Sequence, residues 1–328
     1  MGTYINSGKR NRRKEFVYYS IHDIIKIKTN VEIPIPDYFR SSEELDPDME
    51  ILQGDWDNNI PRDKMKKRAD YYIYKRDSAL FFDYSKFFLH IKLKIDNLYD
   101  KSTIIFTKNY KKFGKTTFIS LINAILLIKL IQKGHTFIHA GCLNYDEKQA
   151  LLISGMAETG KTSSILSLLD GKRFKFMSDD QTILSKNGEA YSYPKRVGIS
   201  PYTLTGDMIS RSKLKKMLKR SEAKEILQNL IERKGMIKKL FILECGEDKI
   251  EQIDRNEAVR KIFTSSMEEN NFFRVFPLNL YFFSFGYDYL HLLNNMKNII
   301  EQSLNKVECF KVSSNRVEKY PEMIKDTI

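Results

Sequence analysis

The sequence predicts an α/β protein, a three-layer phosphate-loop domain with a β-rich N-terminal region before it. Three observations carry this. Aromatic and β-branched residues alternate through residues 15–35 and again through 69–96, with turn residues between. An apolar run from Phe118 to Ile131 then changes the pattern to that of a buried helix. Beyond it, "ALLIS" runs straight into "GMAETGKTSSILSLL", the strand, loop and helix order of an α/β unit.

Taken in order, "EFVYYSIHDIIKIKTNVEIPI" reads as strands closed by Pro34 and Pro36. The stretch "SSEELDPDMEILQGDWDNNIPRD" carries Asp, Asn, Pro and Gly as breakers and reads as an acidic loop. "ADYYIYKRDSALFFDYSKFFLHIKLKID" reads as successive hairpin strands. A helix is predicted over about 115–133, strands at "TFIHAGCLN" and "ALLIS", a helix over 161–169 and a strand at "FKFMSDD". Residues 207–235 read as a basic helical region, "KKLFILEC" at 238–245 as a buried strand, 255–270 and 287–304 as helices, and "VECFKVS" at 307–313 as a last strand. The change of period divides the chain into a β-rich region, 1–112, and a phosphate-loop part, 113–328.

Composition narrows the classes. The formal charge of +13 favours anionic partners, but lysine-rich solvated faces account for such a surplus, and nucleic acid is not expected. Cys142, Cys245 and Cys309 are scattered and odd in number, which points to reduced thiols and a cytoplasmic setting rather than disulfides or zinc. The run Phe118–Ile131 is interrupted by Lys129 and is too short to span a bilayer, so no membrane span is expected.

The motif with chemistry is Gly155, Met156, Ala157, Glu158, Thr159, Gly160, Lys161, Thr162. An upstream echo, "KKFGKTTF", has Asn109 in place of the first glycine and reads as a basic loop before a helix. The spacing matters because the first glycine lets the chain leave its strand and turn successive N–H groups inward onto a phosphate at a helix N-terminus. Lys161 would then neutralise the β- and γ-phosphates and the Thr162 hydroxyl ligate Mg²⁺. Asp179 and Asp180 follow at the end of "FKFM", where one crossover returns them to the strand ends beside the loop. A carboxylate there can hold a metal or take a proton. His139 lies on the strand before the loop's own.

The segment "HTFIHAGCLNYDEKQALLISGMAETGKTSSILSLLDGKRFKFMSDDQTIL" resembles the catalytic C-terminal domain of the HPr kinase/phosphorylase family, whose phosphate-loop architecture is shared with ATP-dependent phosphoenolpyruvate carboxykinase. The resemblance is dense over 137–185 and loose over 115–313, and residues 1–110 do not resemble the N-terminal domain of the bacterial enzyme. It implies Lys161 as the catalytic lysine, Thr162 as a Mg²⁺ ligand, Asp179 as acceptor of the substrate hydroxyl's proton and His139 as its electrostatic neighbour. Asp180 is added here as a second metal contact. The expected activity is transfer of the γ-phosphoryl group of ATP, with Mg²⁺, to a hydroxyl of a protein, peptide or small molecule; the alternative is a nucleotide-responsive ATP-binding module with little or no transfer. The family's homo-oligomeric state has no counterpart in the sequence pattern. Two departures stand out. Pro194 and Lys195 precede Arg196 and Gly198 where the family carries a metal-binding glutamate, and its later loop arginine has no clear match among Arg211, Arg220 and Arg233.

Overall fold

The computed structural model of the 328-residue chain describes residues 15–54, 66–68, 71–86, 89–107, 115–146, 148–169, 173–194, 231–270 and 275–328. They form two sheets with helices between and around them, an α/β architecture. The strands of the first sheet are β1 (Val17–Ile21), β2 (Ile25–Thr29), β3 (Arg40–Ser41), β4 (Met49–Gln53), β5 (Lys66–Arg68), β6 (Tyr71–Arg76), β7 (Ala79–Lys86), β8 (Leu89–Asp96) and β9 (Ser102–Phe106). Their order is β3-β1-β2-β4-β9-β8-β7-β6-β5. β4 corrects the expected acidic loop. Met49 and Ile51 alternate inward from "MEILQ" and are fully buried, and the strand inserts parallel to both β2 and β9. A short apolar alternation between acidic flanks is outweighed, on paper, by its neighbours; in the fold, burial decides.

Helix α1 (Lys115–Gln132) follows, and nearly its whole circumference from Leu121 to Ile131 is buried. A helix apolar all round needs cover all round. Here Phe118 packs on Phe106 of the first sheet, ring centroids 5.0 Å apart, while the helix also packs against strand β10 (His135–Ile138) of the second. Each buried Leu or Ile of α1 contributes roughly 1.5–3 kcal/mol. Lys129 keeps its charge solvated by the chain itself, its ammonium donating to the Asp100 carbonyl, and burial lowers its pKa to about 8. Among the described residues no helix is long and apolar enough to cross a membrane.

The second sheet continues with β11 (Ala140–Tyr145), β12 (Gln149–Gly155), helix α2 (Lys161–Leu169), β13 (Phe174–Ser178), β14 (Thr182–Ser185), β15 (Glu189–Tyr191), β16 (Lys234–Glu244) and β17 (Lys249–Gln252). Then come α3 (Arg255–Asn270), α4 (Phe276–Phe285), α5 (Tyr289–Ser303), β18 (Glu308–Ser313) and α6 (Lys319–Lys325). The strand order is β10-β14-β15-β16-β12-β11-β13, with β18 parallel to β16 and β17 on its far side. Alternation along β12 sends Leu151 and Ile153 to one face, with Ile165 and Leu168 of α2 and Tyr320 and Ile324 of α6. Ala150 and Leu152 point to the other, into the large cluster that also holds α1, α3, α4, α5 and the inner face of the first sheet.

Much of the expected basic helical region, and the "KKFGKTTF" loop at residues 111–114, lie outside the described residues. Where residues 231–235 are described, the helix expectation is corrected: Ile231 bridges Phe176, and Lys234 and Gly235 open β16, opposite Tyr191 and Ala190. Helices α4 and α6 and strands β9, β14, β15 and β17 are not among the elements the sequence pattern predicts. α4 is capped by Gly286 in the left-handed conformation, and α5 by the Asp288 side chain, which accepts from the N–H groups of Leu290 and His291.

The β1–β2 turn joins the sheets through a buried titratable group, His22. His22 and Asp23 form the β1–β2 turn with positive φ at both positions, the geometry that suits a tight hairpin. The turn puts the His22 ring against Phe39 and Tyr191, with Nε2 2.6 Å from the Ser192 carbonyl, so Nε2–H donates. Burial, the largest cause, lowers its pKa from 6.5 to about 4. The unfolded chain therefore binds a proton more readily than the folded one between those values, and stability falls as pH drops through that window, by roughly 3 kcal/mol from this group. Denaturant unfolding at pH 7 and pH 4 should show that loss in the native chain, and His22→Asn, which tolerates the turn conformation, should lose less over the same interval.

Candidate functional site

The second sheet is bent where two neighbouring ribbons break together. β10 and β11 are one run interrupted at His139; β13 and β14 are one run interrupted at Asp179, Asp180 and Gln181. β14 pairs with β10 and β13 with β11, both antiparallel, so the interruptions lie side by side. The Thr182 hydroxyl donates to the Ala140 carbonyl at 2.8 Å and lies 2.5 Å from the Ser178 hydroxyl, tying one break to the other. Ala140 is in turn paired with Ser154, the residue before Gly155. The three features singled out in the sequence, the histidine, the aspartate pair and the glycine loop, thus share one end of one sheet.

His139 is clamped by its backbone. Ser154 Oγ donates to its carbonyl and its own N–H donates to Ser266 Oγ of α3, each at 3.0 Å. Its Nδ1 lies 3.4 Å from Asp180 Oδ1. Asp179 is buried, with 3% of its surface exposed, whereas Asp180 is half-exposed. A buried carboxylate beside an open one is an arrangement that suits proton transfer at the first and cation binding at the second.

The loop itself follows β12 and leads into α2. Gly155 has no room for a side chain: a Cβ there would lie 2.7 Å from Thr159 Oγ1 and 2.9 Å from the Leu243 carbonyl. Gly160 has φ +97°, and a Cβ would meet Val317 at 2.7 Å. Both glycines of the motif are therefore required by contact as well as by spacing. Met156, Ala157 and Glu158 form the exposed crest, with Glu158 in the left-handed region at φ 64°. The Lys161 ammonium folds back over it, donating to the carbonyls of Gly155 at 2.9 Å and Met156 at 2.7 Å, and Thr159 Oγ1 donates to Met156 O at 2.9 Å. Thr162, in the first turn of α2, is partly exposed.

Several supporting residues were not singled out in the sequence. Ser154 and Ser266 hold His139, Thr182 ties the breaks, and Gly141 lets α2 approach. A Cβ at 141 would lie 1.9 Å from Ile165 Cδ1 and 2.8 Å from the Asp179 carbonyl. The only signal for Gly141 was its place within "HAG". Pro194 ends the described part of "SYPKRVGIS"; Lys195, Arg196, Gly198, Arg211 and Arg220 lie outside the described residues. Arg233 is described and pairs with Asp23 at 2.5 Å, on the β1–β2 turn. Among the described residues no cluster of three or more His, Cys, Asp or Glu is placed to hold a metal ion.

Gly141→Ala should destabilise the protein by about 1–3 kcal/mol in denaturant unfolding, because the Ile165 tip can move but the Asp179 carbonyl cannot. Adding Ile165→Val, which removes the nearer atom, should recover only part of the loss.

No known protein-family model matches the chain, and no curated protein matches it. Among solved structures, that of an HPr(Ser) kinase/phosphatase from Coxiella burnetii is similar over 58% of this chain and 92% of that one, at 11% identity and a TM-score of 0.29.

Proposed function

We propose that this chain is an ATP- and Mg²⁺-dependent phosphotransferase that moves the γ-phosphoryl group of ATP to a hydroxyl of a protein, peptide or small molecule. The observation that supports it is the side-by-side breaks at His139 and Asp179–Gln181, next to the strand end from which the glycine loop leaves. A phosphate loop alone serves many activities; a buried carboxylate beside it supplies what transfer to a hydroxyl needs.

In this reading, residues 155–162 cradle the phosphates with backbone N–H groups at the start of α2, and Lys161 balances their charge. Asp179 accepts the hydroxyl proton as the new P–O bond forms and the bond to the bridging oxygen of ADP breaks. His139, whose Nδ1 lies 3.4 Å from Asp180 Oδ1, serves as the electrostatic neighbour of the base. Mg²⁺ takes few protein oxygens and completes its shell with water and phosphate, so the Thr162 hydroxyl and the Asp180 carboxylate fit it without a larger acidic cluster. It would screen the charge on the β- and γ-phosphates. The division into a β-rich region, 1–112, and a phosphate-loop part, 113–328, a three-layer domain of the HPr kinase and carboxykinase type, belongs to the same proposal, as does a cytoplasmic setting.

With γ-labelled ATP, Mg²⁺ and fractions of source-cell lysate, the native chain should label one acceptor. Asp179→Asn should bind ATP but transfer at least about a hundredfold more slowly. Full transfer by that variant would remove Asp179 as the base. Lys161→Ala should weaken ATP binding, and unaltered affinity in a titration would count against the cradle. Tight ATP binding by the native chain with no labelled acceptor would favour the nucleotide-responsive alternative.

A further inference from the structure

Resting on that reading, we infer that the segment after β18, Ser314 to Val317, is the nucleoside-side wall of the phosphate loop, with Val317 and Arg316 positioning the ribose and α-phosphate of the bound nucleotide.

The argument starts from the order of strand ends. Along the edge where the loop opens, the Asp179 break lies on the β11–β13 side of β12, and β16 and β18 lie on the other. A nucleoside triphosphate is linear. If its γ-phosphate faces Asp179, its α-phosphate and ribose leave the cradle toward β16 and β18. What stands there is the Ser314–Val317 strap. Val317, 38% exposed, presses on Gly160 and fills the space that any side chain at 160 would need.

The strap is held more firmly than a surface connection usually is. Ser314 N–H donates to the Glu244 carbonyl at 3.1 Å, and the Tyr320 hydroxyl lies 2.7 Å from that carbonyl and 2.8 Å from that of Ser314. Ser314 Oγ donates to Asp248 at 2.7 Å and accepts from the Arg316 N–H at 2.9 Å. The Arg316 guanidinium pairs with Asp248 and is still more than half exposed, so it keeps donors available to an anion. Tyr320 and Ile324 pack in one core with Ile165 and Leu168 of α2, so strap and loop are anchored to the same helix. An exposed isopropyl group resting against the loop's last glycine, one residue along from an exposed guanidinium held by Asp248, offers apolar contact to a sugar or base and a charge-assisted bond to the phosphate next to it.

The test compares two probes by calorimetric titration. Pyrophosphate reports the cradle alone, and ATP reports the cradle with its nucleoside side. Arg316→Gln and Val317→Ala should each weaken ATP binding, Arg316→Gln by about tenfold, the loss of one charge-assisted hydrogen bond, while pyrophosphate affinity stays within about twofold. Lys161→Ala should weaken both probes. Equal losses for both probes in the strap variants would mean that the strap only braces the loop, and would overturn the assignment. So would unchanged ATP affinity in both variants while Lys161→Ala still fails, a result that leaves the phosphate-loop reading intact. A native chain that binds neither probe would overturn the phosphate-loop reading and this assignment with it.

Discussion

Everything at the candidate site depends on two strand ribbons breaking at the same level. An uninterrupted β10–β11 or β13–β14 run would keep its side chains pointing alternately across a flat sheet. The backbone N–H groups of His139 and of the Asp179–Gln181 turn would then pair with a neighbouring strand. Because both runs break, those groups need other partners, and the fold supplies one from a hydroxyl: Ser266 takes the His139 N–H. Thr182 and Ser154 fill the carbonyl side, on Ala140 and His139. Buried backbone groups left unpaired would cost on the order of 1–3 kcal/mol each, so these small hydroxyls are structural necessities of the bend rather than decoration around it.

The second sheet's two faces divide the labour. The face with α2 and α6 carries the loop helix and the strap, and the opposite face merges with α1 and the first sheet into one continuous core. From that side α3 reaches the site, through Ser266 at His139 and Lys261, whose ammonium pairs with Glu244 at the end of β16. The β-rich region meets the second sheet elsewhere, through the His22 turn and Ser192 and through Asp23 and Arg233, and it meets α4 through the Tyr281 hydroxyl, which donates to the Ser78 carbonyl and accepts from the Leu98 N–H.

What was legible in the sequence was what is local. The glycine spacing, the strand before it and the helix after it are set by residues a few positions apart, and each appears where the pattern puts it. The helix at 115–132 was equally plain, since an apolar run of that length has few other fates. β4 was not legible, because acidic neighbours mask five residues whose burial depends on strands far away in the chain. Nor were Ser154, Ser266, Thr182 and Val317. Each acts through one contact with a residue distant in sequence, and a serine or valine carries no pattern that announces it. Gly141 lies between these cases: the residue type hints at a close approach, but only the packing of Ile165 says what approaches.

The contact between Gly160 and Val317 also bears on how the chain is made. The loop, its strand and α2 leave the ribosome as one local unit, yet the side chain that completes the loop's surface arrives only after β16, α3, α5 and β18 have been synthesised. Until then Gly160 is a left-handed residue with nothing behind it. A nascent chain would therefore carry the glycine loop, its strand and α2 without the backing of Val317 until β18 and the segment after it have been made.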